Sequence, residues 1–281
     1  MASGIENFRQ MIIKALKKGW PYGVAVASFI LSVVPESCFQ ITIFEKLSPD
    51  YNIIAIRLIL CGILILGSWF ICILALLLKP WVTIKGHNYK IIIQYGDILR
   101  KKKGKKVIGF DECFTTKVGP DTGDINANSL CGKYLQRHPI TDTKMENLLN
   151  QSKLNPCRTP SKYKGKPCYK PGSMVLRDSY LLMAFTKLNE KGRSSMTYKD
   201  YLECLELMWT SIDDLYGQED VYIPVLGAGT TKFEDWDPEP QDLVNVILNS
   251  YKLSRDKLKT NKIHIVCDRK SGIVLNKIDG A

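Results

Sequence analysis

Several familiar signatures are missing from this 281-residue chain, and each absence removes a class of function. The nine cysteines fall at irregular spacings, and Cys61 and Cys72 lie inside an apolar run. That pattern excludes a secreted disulfide framework and points to reduced thiols in a cytosolic part. Cys157 and Cys168 bracket a polar stretch with no second pair at metal-ligand spacing, so no metal site is expected. Only three histidines are present, and His87, His138 and His264 fall in an expected turn, loop and strand. They compose no catalytic set. No glycine-rich loop ends in Gly-Lys-Ser/Thr, which excludes a Walker-type phosphate loop. Internal repeats are lacking too. The formal charge of +11, from 39 basic against 28 acidic residues, comes without a nucleic-acid motif or a helical basic stripe. Nucleic acid is therefore not an expected partner.

What is present divides the chain in two. Hydrophobic content of 45% with 24% charged residues excludes a disordered chain, yet the mean hydropathy of −0.08 averages a greasy part with a polar one. Residues 53–78 read IIAIRLILCGILILGSWFICILALLL with Arg57 as the sole charge. From residue 58 to 78 the run would span about 31 Å as a helix, the thickness of a hydrocarbon core. Residues 20–34 (WPYGVAVASFILSVV) would cover about 22 Å and form a shorter first span, extendable by the following CFQITIF stretch. A cleaved signal peptide is disfavoured by the long leading segment and by the lack of a small-residue cleavage site before Pro35. Arg9, Lys14, Lys17 and Lys18 precede the pair and Lys79, Lys85 and Lys90 follow it, whereas Glu36, Glu45 and Asp50 occupy the connection. The positive-inside rule then puts both ends in the cytoplasm, with Arg57 snorkelling. Two spans do not make a transporter, so any role beyond anchoring requires a homo-oligomer in the bilayer.

Residues 81–281 alternate strand-like and helix-like stretches, the pattern of an α/β domain. Strands are expected at 89–94, after a turn at 86–88, and at 107–110, 173–177, 181–186, 220–225 and 262–267. Helices are expected from the Thr197/Asp200 capping pair through Leu202, Leu205, Met208, Ile212 and Leu215, and over 242–251. The basic run from Arg100 to Lys106 reads as a solvated hairpin tip or as a contact for anionic headgroups. Residues 141–172, rich in Pro and Lys, read as a surface connection or as a lid over a phosphorylated ligand.

Two stretches carry candidate chemistry. In VYIPVLGAGTTKF, a buried strand runs into Gly227, Ala228 and Gly229, then Thr230, Thr231, Lys232 and Phe233. Glycines at such a point let successive backbone N–H groups converge on phosphate oxygens. It is not a dinucleotide fingerprint, which would open the domain. In Tyr95-Gly96-Asp97-Ile98, at the end of the first long strand, Asp97 can accept from a base amine or simply cap a turn.

Together, with the closing IHIVC strand, these stretches make residues 82–270 resemble a macro domain, the three-layer α/β/α module with a mixed sheet that binds ADP-ribose and related nucleotides. Two spans before a divergent macro domain further resemble the membrane macro effectors of bacterial Thoeris-type anti-phage systems. The stretches GFDECF, NSLCG at 128–132 and AFTKLN at 184–189 support that likeness. The resemblance implies that Asp97 and Ile98 contact adenine and that Gly227 to Phe233 cradle the diphosphate. It implies too that Ser129, Leu130 and Gly132 stand at the first glycine-rich loop, a place where the match is poor. Hydrolytic macro domains carry an Asn-Ala-Ala-Asn stretch where this chain reads Phe110, Asp111, Glu112, Cys113, Phe114. The likeness therefore implies a nucleotide reader without a cofactor, with Asp111 or Glu112 meeting a basic group on a modified ADP-ribose or ending a strand. It implies an inner-membrane defence effector that senses a signal made by a TIR-domain, NAD-consuming partner and then disrupts the membrane. The alternatives are a membrane-tethered ADP-ribosyl or nucleotide hydrolase and a passive reader of ADP-ribose.

Overall fold

The computed structural model describes residues 2–40, 48–78, 81–86, 89–152, 154–255 and 262–278. The chain forms two compact units, Met1–Pro80 and Trp81–Ala281.

The first unit is a pair of long helices, α1 (Ala2–Val33) and α2 (Pro49–Leu78). Among the described residues, α2 supplies the one stretch long and apolar enough to cross a membrane, Pro49–Ala75. The short first span expected at 20–34 is instead the end of a 32-residue helix that starts at Ala2 and runs through Pro21. The expected extension does not follow, because the helix stops at Val33 and a 3-10 turn, Glu36–Phe39, comes next. Residues 41–47 lie outside the described residues. Small residues bring the helices together. A Cβ on Gly19 would stand 2.8 Å from Trp69 Cδ1, and one on Gly23 would stand 2.6 Å from Ser68 Oγ. The Ser68 hydroxyl donates to the Gly19 carbonyl at 3.1 Å, and Trp20 stacks on Trp69. Arg57 does not simply snorkel. Its guanidinium pairs with Glu36 at 3.4 Å and lies over the Phe39 ring.

The second unit is built on one mixed sheet. Its strands are β1 (Trp81–Lys85), β2 (Lys90–Tyr95), β3 (Lys105–Asp111), β4 (Met174–Arg177), β5 (Tyr180–Leu188), β6 (Ser194–Met196), β7 (Val221–Pro224), β8 (Lys232–Phe233) and β9 (Lys262–Cys267). The spatial order is β1-β2-β9-β7-β3-β5-β6-β8, with β4 paired to β5. Strands β2, β9, β7, β3 and β5 are mutually parallel, so all five end on one edge.

Side-chain alternation along these strands separates two cores. Leu181, Met183 and Phe185 of β5 face helices α5 (Tyr198–Leu215) and α6 (Pro240–Leu253), whereas Leu182 and Ala184 face α3 (Leu130–Arg137) and α4 (Asp142–Gln151). The result is the expected α/β/α sandwich. Thr197 caps α5 by accepting from Asp200 N at 3.1 Å. On its apolar face Leu205, Met208 and Ile212 are buried, but Leu202 is exposed.

Two expectations change. The basic run is not a hairpin tip, because β2 pairs with β9 and β3 with β7. Lys105 and Lys106 belong to β3, and Lys106 is buried with its ammonium donating to Ser179 Oγ at 2.9 Å. The polar connection of 141–172 opens with α4, capped by Thr141, before becoming irregular. Its short amphipathic face, Met145 and Leu149, was hidden by the surrounding polar residues. Of the 86–88 turn, His87 and Asn88 lie outside the described residues.

Candidate functional site

A cleft of about 530 Å³ opens at the edge where the parallel strands end. From β7 the chain proceeds through α6 to β9 on one side, and from β3 through α3 and α4 towards β5 on the other. A crevice opens where neighbouring connections depart in opposite directions, the usual ligand position in open α/β sheets. Its floor is the end of β3 (Gly109, Phe110, Asp111) and of β5 (Phe185, Thr186, Leu188). Its walls are the start of α3 and the loop after β7.

The loop after β7 is shaped by backbone alone. Gly227 has φ +86°, a left-handed conformation that L side chains rarely adopt, and a Cβ there would stand 2.9 Å from the Phe233 ring. Gly229 faces open space. The loop is then fixed at its far end, where β8 pairs with β6 in the register Ser195↔Lys232. Gly227, Gly229, Thr230, Thr231 and Lys232 all line the cleft. Ala228 and Phe233 do not. They line a neighbouring cavity of about 690 Å³ that shares Gly227, Gly229, Thr231 and Lys232 with the cleft, and the Phe233 ring meets Tyr201 and Trp236 edge-on.

Ser129 and Leu130 line the opposite wall. The Ser129 hydroxyl caps α3, accepting from Gly132 N at 3.0 Å and donating to the Asn126 carbonyl at 2.7 Å. Gly132 sits behind the wall, where a Cβ would collide with that same carbonyl. Its role is close approach.

Asp111 is 5% exposed on the cleft floor. Its Oδ1 accepts from Cys113 N at 2.8 Å and Thr115 N at 3.2 Å, while Oδ2 is buried with no hydrogen-bond partner among the described residues. Burial pushes the carboxyl above its ordinary range, against the lowering effect of the Thr115 hydroxyl and of the Thr115 and Cys113 amides. Glu112, its neighbour, is engaged through one oxygen. Its Oε1 accepts from Ser161 Oγ at 2.5 Å and Leu188 N at 3.1 Å. The structure thus separates two adjacent carboxylates that sequence left equivalent: Asp111 opens on the cleft, and Glu112 fastens the Pro- and Lys-rich segment to β5.

Asp97 and Ile98 do not line this cleft. Asp97 accepts from Leu99 N at 2.9 Å and pairs with Arg100 at 3.4 Å, and Ile98 is buried. Two cleft features were missed from sequence. Arg193 and Asn189 enter from the turn between β5 and β6, and Asp124 enters from the loop before α3. Glycine at 192 and 123 was the available signal. Among the described residues no group of His, Cys, Asp and Glu is arranged to hold a metal ion.

The protein family described as Thoeris protein ThsA, Macro domain, matches residues 91–268. The chain is 27% identical over 261 residues to the Thoeris protein ThsA of Bacillus amyloliquefaciens (strain Y2), covering 90% of this chain and 84% of that protein. Solved structures of the Oceanobacillus iheyensis macrodomain are more distant. The form with ADP aligns at TM-score 0.44 and 10% identity, over 68% of this chain and 90% of that one. The form with MES bound aligns at TM-score 0.45 and 10% identity, over 70% and 94%.

Proposed function

The chain belongs to the Thoeris ThsA macro-domain family, and from that premise we propose that it is a membrane effector of bacterial anti-phage defence whose macro domain reads an ADP-ribose-type signal. The observation that carries the reading is the loop after β7: a left-handed Gly227, an open Gly229 and two threonines brought to the cleft at the end of a buried strand. Backbone N–H groups so presented suit a diphosphate. Thr230 and Thr231 add hydroxyl donors.

The site in this reading binds and does not turn over. Asp111 stands where hydrolytic relatives carry asparagine, and from the cleft floor it meets a basic group on the ligand's distal part. A tethered hydrolase remains the second reading, because a buried carboxylate with a raised pKa is also what a general base requires. Recovery of unchanged ligand after long incubation with stoichiometric protein separates the two.

The rest of the proposal concerns output. The Pro49–Ala75 stretch of α2, partnered by α1, anchors the chain in the bacterial inner membrane with the macro domain in the cytoplasm. A TIR-domain partner makes the signal from NAD. Ligand drives homo-oligomerisation, and the assembled helices disrupt the bilayer. Such a switch requires that the ligand bind the assembled state better than the resting one. Dye entry into cells tests the whole chain of events. It is expected only when this chain and an active TIR partner are both present, and it should vanish with Gly229→Glu. Dye entry that persists in Gly229→Glu would refute the signal-reading step.

A further inference from the structure

The loop after β7 offers N–H groups, yet the cleft also holds two cations that no family motif points to as a pair. Arg193 and Lys232 both line it, both are exposed, and among the described residues neither makes an ion pair. Of the acidic side chains on the cleft, Asp124 pairs with Lys117 at 2.9 Å and Asp111 Oδ1 is held by backbone amides, while Glu234, Asp235 and Asp237 line the neighbouring cavity that Lys232 also borders. Backbone architecture explains why the two cations face the same space. The register Ser195↔Lys232 between β6 and β8 sets Arg193, two residues before Ser195, beside the end of the phosphate loop.

The turn bearing Arg193 is itself braced. Asn189 Oδ1 accepts from Lys191 N and Arg193 N, both at 3.0 Å, and Asn189 N donates to the Arg193 carbonyl. Tyr163, from the Pro- and Lys-rich segment, is 8% exposed and packs its ring against Gly192. A Cβ on Gly192 would stand 2.7 Å from that ring. On the other side the ring reaches the 119–126 loop, where its hydroxyl donates to the Thr122 carbonyl at 2.9 Å. One aromatic side chain therefore fixes the separation of both rim loops.

We propose that Arg193 and Lys232 form a two-cation clamp for the phosphates of the ligand, with Tyr163 as the residue that positions Arg193. The planar guanidinium suits bidentate contact with a phosphate, and the ammonium adds a point charge on the facing strand. The clamp selects for a diphosphate over a nucleoside, which the N–H groups of the loop would do far less strongly. This inference rests on the nucleotide-reading proposal above, but its test separates the two.

The detergent-solubilised full chain is titrated with ADP-ribose and, separately, with inorganic pyrophosphate, each at low and high salt. Arg193→Gln and Lys232→Gln should each weaken both probes about tenfold to a hundredfold. Both should also flatten the salt dependence, because a screened charge has been removed. Tyr163→Ala should mimic Arg193→Gln, and Tyr163→Phe should restore most of the affinity, since the ring sets the spacing. Unchanged affinity and salt dependence in Arg193→Gln, with ADP-ribose binding still lost in Gly229→Glu, would overturn the clamp and leave the nucleotide reading standing. Arg193-dependent pyrophosphate binding without ADP-ribose binding would keep the clamp and remove that reading. Failure of wild type to bind either probe would overturn both.

Discussion

At the scale of single residues, Asp111 makes the sharpest commitment. A buried carboxyl with one unpartnered oxygen costs the folded state free energy. Asp111→Asn should raise the stability of ligand-free protein by about 1–3 kcal/mol at pH 7 and weaken ligand binding. The pH dependence has a definite sign. Because burial raises the folded pKa, the folded state keeps its proton longer than the unfolded chain. Wild-type stability therefore falls as pH climbs from about 3.9 through the raised folded value, and the variant lacks that fall. Thermal melts at acid and neutral pH check this; an equal gap at both would contradict it. Gly229→Glu is the complementary probe. Its Cβ meets nothing within 4 Å, so the fold should survive while a carboxylate enters the phosphate loop. The glycine loop was legible in sequence because its chemistry is local. Asp111 and Glu112 were not separable, because what distinguishes them is contact with Ser161, Leu188 and the cleft, all distant in the chain.

At the scale of elements, the irregular segment after α4 is a structural strap. Ser161 is tied to Glu112, Cys157 N donates to the Cys168 carbonyl at 2.8 Å, and Tyr169 N donates to the Glu112 carbonyl. Glu112→Ala strands the Leu188 amide and frees the strap. It should cost about 1–3 kcal/mol and make the lysines at 162–166 markedly more sensitive to trypsin. Unaltered cleavage would show that the strap is held by other contacts. The strands and the long helices were readable from alternation and capping, since β-branched runs and the Thr197/Asp200 pair act locally. The strap was not, because a Pro- and Lys-rich composition says where a helix cannot form and nothing about what the loop packs against. In the helical unit, Gly19 and Gly23 let α1 approach α2 closely. Gly23→Leu should push the helices apart, at about 1–3 kcal/mol of overpacking, and abolish disulfide crosslinking between cysteines introduced across that contact. Retained crosslinking would argue against this pairing.

At the scale of the whole molecule, the proposed function requires a signal to pass from the macro domain to the apolar helix α2, which Lys79 and Pro80 separate in sequence. Strand β1 is antiparallel to β2 with Trp81 opposite Gln94, so the chain enters the macro domain at the same sheet edge that carries the cleft. A flexible Gly/Ser insertion after Pro80 should leave ligand affinity intact but blunt permeabilisation, because a loose tether transmits less orientation. A full response with the insertion would favour clustering over rigid coupling. The proposed topology predicts that Ser48→Cys labels from outside intact cells, and labelling only after lysis would contradict it. The central claim is that the cleft reads an ADP-ribose-type nucleotide. Its most direct test is calorimetric titration of the full chain, wild type beside Gly229→Glu, with ADP-ribose. The account predicts saturable binding to wild type, its loss in the variant, and nucleotide recovered intact; no binding to wild type, or equal binding to both proteins, would contradict it.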